Sequence, residues 1–171
     1  MPFHSKAVAN YLLGLGQRDG VALSPMKMIK LVYIAHGWHL WNFDRPLINE
    51  QIEAWPYGPV IASLYHEFKR YGNKPIEEPA VHLSRAAGDK RFYPYSMDGE
   101  QSQSHRDEAR NLIDAVWNIY KGFSAVQLSA KTHHAGSPWF QTWHTGGGRE
   151  TRGTDIPQED IKKHFTELAG E

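Results

Sequence analysis

The 171-residue chain contains no cysteine. That absence excludes a disulfide framework, a thiolate metal centre and a cysteine nucleophile. Charge of one sign is missing too, since 19 Lys and Arg balance 19 Asp and Glu. A chain dedicated to nucleic acid carries a basic surplus, so nucleic acid is not expected as a partner. Lys69–Arg70 and the stretch around Arg149–Arg152 are the places where a local basic patch could form. No run approaches the ~20 apolar residues of a membrane span. The opening "MPFHSKAVANYLLGLGQRDG" lacks a basic region followed by a long apolar run, so no membrane association and a cytoplasmic location are expected. A chain of this size fits one domain and can bury roughly 70% of its unfolded surface without a metal or disulfide. What the chain does hold in excess is 10 His and 6 Trp.

Helical periodicity dominates what is present. Val8, Leu12 and Leu15 share a face within Ser5–Leu15, and "GQRDG" follows as a turn. Ser24 is a suitable N-cap and Pro25 a suitable first helical residue for a helix carrying Met28, Leu31, Val32, Ala35 and Trp38/His39. Asn42–Pro46 reads as a turn and Ile52–Trp55 as a short extended piece. Pro59 then suits the start of a helix to about Tyr71, with Gly72 as its stop. Residues 73–103 mix prolines and polar runs and are expected to form a surface excursion with a short hairpin. Ser104 with Asp107, and Ser124 with Gln127, mark two further helix starts. A helical turn at Trp139–Trp143 and a helix over Pro157–Leu168 complete the chain. The reading is a mostly α protein of about six helices, one domain over residues 1–171, with a short-strand excursion near 73–103.

Spacing alone yields no active site. His36 and His39 lie three apart on a helix, which could place both on one metal, but the H-E-x-x-H spacing is absent. His39 is expected at the core edge and His36 near the surface. Adjacent His133 and His134 point in different directions and suit hydrogen bonding to free carbonyls at a helix end. Ser129 and Ser137 have no G-x-S-x-G elbow. "GGGR" at 146–149 lacks the spacing and lysine of a P-loop. The pairs Glu77–Glu78 and Glu159–Asp160 are not placed across a cleft. No cofactor and no catalysis are expected, and the ten histidines leave a histidine-metal hydrolase as the alternative.

Three blocks carry a family resemblance. The first contains Lys30-Leu31-Val32-Tyr33-Ile34-Ala35-His36-Gly37-Trp38-His39-Leu40, followed by Ala54-Trp55-Pro56-Tyr57-Gly58-Pro59-Val60. The second contains Leu128-Ser129, Thr132-His133 and Pro138-Trp139, and the third is the closing "IPQEDIKKHF". Together they resemble the Panacea domain family of SocA-like antitoxins and phage-associated proteins. The resemblance implies a non-enzymatic protein that neutralises a cognate toxin by direct contact. It also implies the option of acting as a proteolytic adaptor to a ClpXP-type protease. A phage-associated interaction protein without a toxin is the other role the family allows.

The aromatic stretch "IEAWPYGPVIASLYHEFKRYG" admits two readings. Trp55-Pro56-Tyr57-Gly58-Pro59 forms a rigid corner with Trp55 in the core and Trp139 and His133 packed against it. Alternatively, part of the cluster is exposed and contacts a toxin, a use that tyrosine and tryptophan suit. Trp38, Trp55, Tyr57, Gly58, Pro59, Tyr65, Thr132, His133, Pro138 and Trp139 are the candidate motif or partner-binding residues.

Overall fold

The computed structural model describes residues 1–171. Helix α2 (Pro25–Phe43) is its axis. Ser24 accepts a hydrogen bond from the Lys27 amide at 3.4 Å, Pro25 occupies the first turn, and Asp44 ends the helix in the left-handed region (φ 52°). Every residue from Lys27 to Gly37 is buried, the condition of a helix enclosed on all sides. Around it pack α1 (Ser5–Asp19), α4 (Gln103–Tyr120), α5 (Ala125–His133) and α7 (Gln158–Ala169). Gly37 lets α7 approach, because a β-carbon there would lie 2.1 Å from the Phe165 ring.

Helix α1 runs through the expected "GQRDG" turn to Asp19. Its terminator is Gly20 (φ 68°) rather than Gly16, and Asp19 is held by the Trp117 indole at 2.7 Å and Lys121 at 3.3 Å. Strands β1 (Glu53–Trp55) and β2 (Gly58–Val60) form an antiparallel hairpin. Pro59 therefore pairs opposite Ala54 instead of opening a helix. An edge strand tolerates its missing N–H, and helix α3 begins three residues later, at Ala62, running to Phe68 before one 3₁₀ turn over Lys69–Tyr71. On the other side of β1, the Ala54 amide donates to Thr154 O at 2.8 Å and the Ile156 amide to Ile52 O at 2.7 Å.

The 73–103 excursion does contain a hairpin, β3 (Val81–Leu83) with β4 (Phe92–Pro94). Its root is tied down. Asn10 donates to Ala80 O and Tyr95 O at 2.8 and 2.9 Å and accepts from the Ala80 amide at 2.8 Å. Ile76, Ala80 and Met97 are buried. Helix α4 is capped by Ser102, which accepts from the His105 amide at 3.2 Å, two residues before the expected Ser104. Ser104 lies inside the first turn, its hydroxyl bonded to Glu108. Ser124 and Gln127 make both bonds of the capping box expected for α5. Ser137 and Pro138 start a full helix α6 (Pro138–His144) where one turn was expected. The protein is mostly α, with seven α-helices and two small sheets, and 36 buried hydrophobic residues drawn from along the chain form one connected core.

Candidate partner-binding site

The β1–β2 turn is where the separate motif blocks meet. Pro56 and Gly58 occupy the second and fourth positions of a four-residue turn, the places where those residues are favoured. Tyr57 O accepts two hydrogen bonds, from Lys30 Nζ at 3.0 Å and from Ser129 Oγ at 2.8 Å. Pro59 O takes a second bond from Lys30 Nζ at 2.9 Å. Trp55 O accepts from the Trp139 indole at 2.6 Å. Three carbonyls at alternate residues, Trp55, Tyr57 and Pro59, are thus held from α2, α5 and α6.

Lys30 is only 2% exposed and has no carboxylate beside it. Its charge faces carbonyl dipoles instead, and burial pulls its pKa down to about 7. Hydrogen bonds to a charged donor contribute about 1.5–3 kcal/mol each, so the two carbonyls offset much of that desolvation. Gly58 sits at φ 113°, a backbone that side chains rarely adopt, and a β-carbon there would lie 2.7 Å from Lys30 Nζ. Thr132 and His133 close the other side of Gly58. Thr132 Oγ1 donates back to Leu128 O and Ser129 O. His133 Nδ1 lies 2.5 Å from Ser129 O, the carbonyl-bonding role expected of it, and its ring meets Trp139 edge-on at 5.3 Å. Pro138 and Trp139 are buried, and Trp139 stacks on Trp143.

Trp55 is not the core residue that was expected. It is half-buried, its indole donates to Glu53 Oε2 at 2.7 Å, and its ring stands edge-on to Tyr65 at 4.7 Å. The short strand β1 ends there, so Trp55 lies where the sheet leaves the core, and the fully enclosed tryptophan of the corner is Trp139. Tyr57 is 73% exposed. Its backbone carbonyl is held by Lys30 and Ser129 while its ring stands in solvent. Beside it lies an apolar groove of about 440 Å³ lined by Met26, Ile29, Trp55, Tyr57, Val60 and Tyr65, with Lys69 at its rim.

Trp38 stands apart from this corner. Its indole donates to the Tyr120 hydroxyl at 3.3 Å, and its ring packs against Phe165 and Trp41. His36 and His39 are both 0% exposed, so His36 is core and not near-surface as expected: α2 is surrounded on that side as well. His39 Nδ1 lies 2.7 Å from Arg45 O, and burial lowers the pKa values of His36 and His39 to about 3 and about 4. No three His, Asp or Glu side chains come together as a metal-binding group, so the histidine-metal alternative gains no centre from the fold. A larger depression of about 670 Å³ between the end of α2 and α7 is walled by Asp44, Arg45, Glu159, Lys162 and Lys163, charges of both signs with no convergence.

Lys30 and Ser129 are the residues that motif spelling contained and local spacing did not explain. The signal was a lysine within Met28–Ala35, a stretch of α2 that is otherwise apolar, which needs a buried acceptor.

A family profile described as "Antitoxin SocA-like, Panacea domain" matches residues 28–140. The chain is 30% identical over 161 residues to Antitoxin SocA of Caulobacter vibrioides (strain NA1000 / CB15N), covering 94% of this chain and 81% of that protein. No solved structure matches. The residues matched by the profile include Lys30, the β1–β2 hairpin, α5 and Trp139.

Proposed function

The chain belongs to the SocA-like Panacea domain family of antitoxins, and from that premise we propose that it neutralises a cognate toxin by direct contact through the β1–β2 tip and its groove. One observation carries the placement: Tyr57 is held at its backbone by Lys30 and Ser129 while its ring stands in solvent beside an apolar groove. Interface anchors of this kind are aromatic, rigid and rimmed by polar groups. The scaffold side of the same corner is built from Gly58, Pro59, Thr132, His133, Pro138 and Trp139, which position the tip without contacting the partner. Tyr57, Trp55 and Tyr65 make the contact. Trp38 lies outside it.

The test is co-expression with each small reading frame next to the gene, scored by growth rescue and by pull-down of the complex. One neighbour is expected to be toxic alone, silenced by the parent chain and bound by it. Tyr57→Ala with Tyr65→Ala should leave the fold intact and weaken the complex by about 2 kcal/mol or more, roughly 30-fold. Rescue by that double variant at parental level would place the interface elsewhere. No rescue by the parent against any neighbour would remove the antitoxin reading. Delivery to a ClpXP-type protease is the second arm: toxin turnover by purified ClpXP should accelerate only when this chain is present, and direct blocking alone would leave it unchanged.

A further inference from the structure

We propose that strand β3 is a self-association edge, where a second copy of this chain pairs antiparallel about a two-fold axis through His82. The hydrogen-bond phase of the outer hairpin carries the argument. The Tyr95 amide donates to Ala80 O at 3.0 Å and the Ser84 amide to Arg91 O at 2.9 Å, so Ala80, His82 and Ser84 face β4. In an antiparallel ladder the alternate residues turn the other way. The amides and carbonyls of Val81 and Leu83 therefore point out from the sheet edge. Neither amide donates outside the hairpin. Leu83 O, 3.2 Å from His82 Nδ1, keeps a second lone pair.

Open edges are normally blunted by proline, lysine, a bulge or a covering segment. The other strands of the protein have such protection. Residues 154–156 cover β1, Pro59 and Lys30 occupy β2, and Pro94 removes a donor from β4. Strand β3 reads Val-His-Leu, and of the strands and helices only β4 packs along it.

The occupant follows from the charges at the two ends of this strand. Glu77 and Glu78 precede β3, Arg85 follows it, and all three are exposed. The nearest cation to Glu78 is Arg70 at 3.6 Å, an exposed pair. Antiparallel pairing about His82 sets Val81 opposite Leu83 of the second copy, with their outward amides and carbonyls in register. The same register lays Arg85 beside Glu78 of the second copy, and the two-fold axis supplies each contact twice. A strand with its acid before it and its base after it is thus complementary to itself. Two three-residue strands bury far less than the ~800 Å² per partner of a standard interface, so the dimer is a weak one. None of the residues lining the groove beside Tyr57 lies on this edge, so the proposal stands independently of the toxin reading.

Sedimentation of the full chain is expected to give mostly monomer at about 10 µM and mostly dimer at about 1 mM, a Kd on the order of 100 µM. At the higher concentration the Val81 and Leu83 amides should exchange more slowly, with Phe92 unchanged. The chain has no cysteine, so one introduced thiol reports the register. His82→Cys should form an intermolecular disulfide on mild oxidation, because a non-hydrogen-bonded pair stands about 4.5 Å apart at Cα. Ser84→Cys, about 13 Å from its copy in this register, should not. Leu83→Pro removes an outward amide, spares the ladder to β4, and should weaken association at least about tenfold. Arg85→Glu should weaken it about threefold or more, and adding Glu78→Lys should restore it. A chain that stays monomeric at about 1 mM overturns the proposal and leaves the edge to a strand of a different protein. A dimer unchanged by Leu83→Pro, or a disulfide forming equally at Ser84→Cys, overturns the pairing.

Discussion

Two hairpins of the same size, three residues per strand, are held in opposite ways. The β1–β2 hairpin receives side-chain hydrogen bonds at Trp55 O, Tyr57 O and Pro59 O from three different helices. The β3–β4 hairpin is tied only at its root, through Asn10 and the Tyr95–Ala80 backbone bond. Beyond that root its outward face is apolar and exposed. Val81 pairs with Pro94 and Leu83 with Phe92, and all four are exposed. Exposed apolar area therefore does not by itself mark a built site. At β1–β2 the exposed tyrosine stands on a fixed backbone. At β3–β4 no helix grips the strands, so the exposed residues there have no fixed stem of that kind.

The largest effect expected from breaking this contrast is at Trp139. Trp139→Ala removes a ring that is 5% exposed and the donor to Trp55 O, which should cost about 3–5 kcal/mol. Trp55→Ala, at a half-buried position, should cost less, about 1–3 kcal/mol. Chemical denaturation of both variants decides the order. If Trp55→Ala proves the more costly, the clamp does not run through α6.

The next effect is in the pH profile. Lys30 ionises at about 7 when folded and near its ordinary value of 10.5 when unfolded. Between those values the unfolded chain binds more protons, so stability rises with pH, by up to about 1.4 kcal/mol per unit. His36 and His39 act on the acid side. Their folded pKa values lie below the ordinary 6.5, so stability falls as pH drops from about 6.5 towards 4 and below. Tyr11 and Tyr33, whose pKa values burial raises, destabilise only above about 10, where unfolded tyrosine ionises. Melting curves from pH 4 to 10 should therefore show an acid limb and an alkaline rise. Lys30→Met should keep the first and lose most of the second, the remainder coming from Lys27, whose pKa burial also lowers. A parental profile that is flat from pH 7 to 9.5 would mean that Lys30 stays charged, and that the carbonyls of Tyr57 and Pro59 hold it far better than its burial suggests.

The same contrast shows what the sequence could tell. Helices α2 and α5 were legible because cap residues and apolar period agree, at Ser24-Pro25 and at Ser124 with Gln127, and α7 from its Ile161–Phe165 stripe alone. The excursion's hairpin was legible from its turn residues. The β1–β2 hairpin was only half legible. Pro59 satisfies the rules for a helix start and for an edge strand equally, and the choice is made by Lys30 and Ser129, 29 and 70 positions away in the chain. Burial of Trp55 and exposure of His36 were misjudged for a related reason. Helical spacing gives direction within one element, but α2 is enclosed by helices contributed from both ends of the sequence, and β1 ends at the protein's edge. The meeting of Lys30, Gly58, Ser129 and Trp139 at one turn is a tertiary fact, signalled only by the co-occurrence of the motif blocks.

The smallest expected effect sharpens the comparison from the other side. Phe92 is 67% exposed, so cutting it back removes little area that folding had taken from water. Threonine keeps the strand preference of the position. The one contact at stake is its pairing with Leu83, and cross-strand pairs of this kind contribute roughly 0.2–1 kcal/mol. Phe92→Thr should therefore shift global stability by no more than about 0.5 kcal/mol, while amide exchange within Val81–Pro94 accelerates and that of Glu53–Val60 stays as in the parent. The two readouts separate local from global opening, because a clamped hairpin exchanges only with the core and a root-tied hairpin can open alone. If Phe92→Thr lowered stability as much as Trp55→Ala, or left exchange in β3–β4 as slow as in β1–β2, the outer hairpin would be part of the same cooperative unit, and the distinction between an anchored tip and a free one would fail.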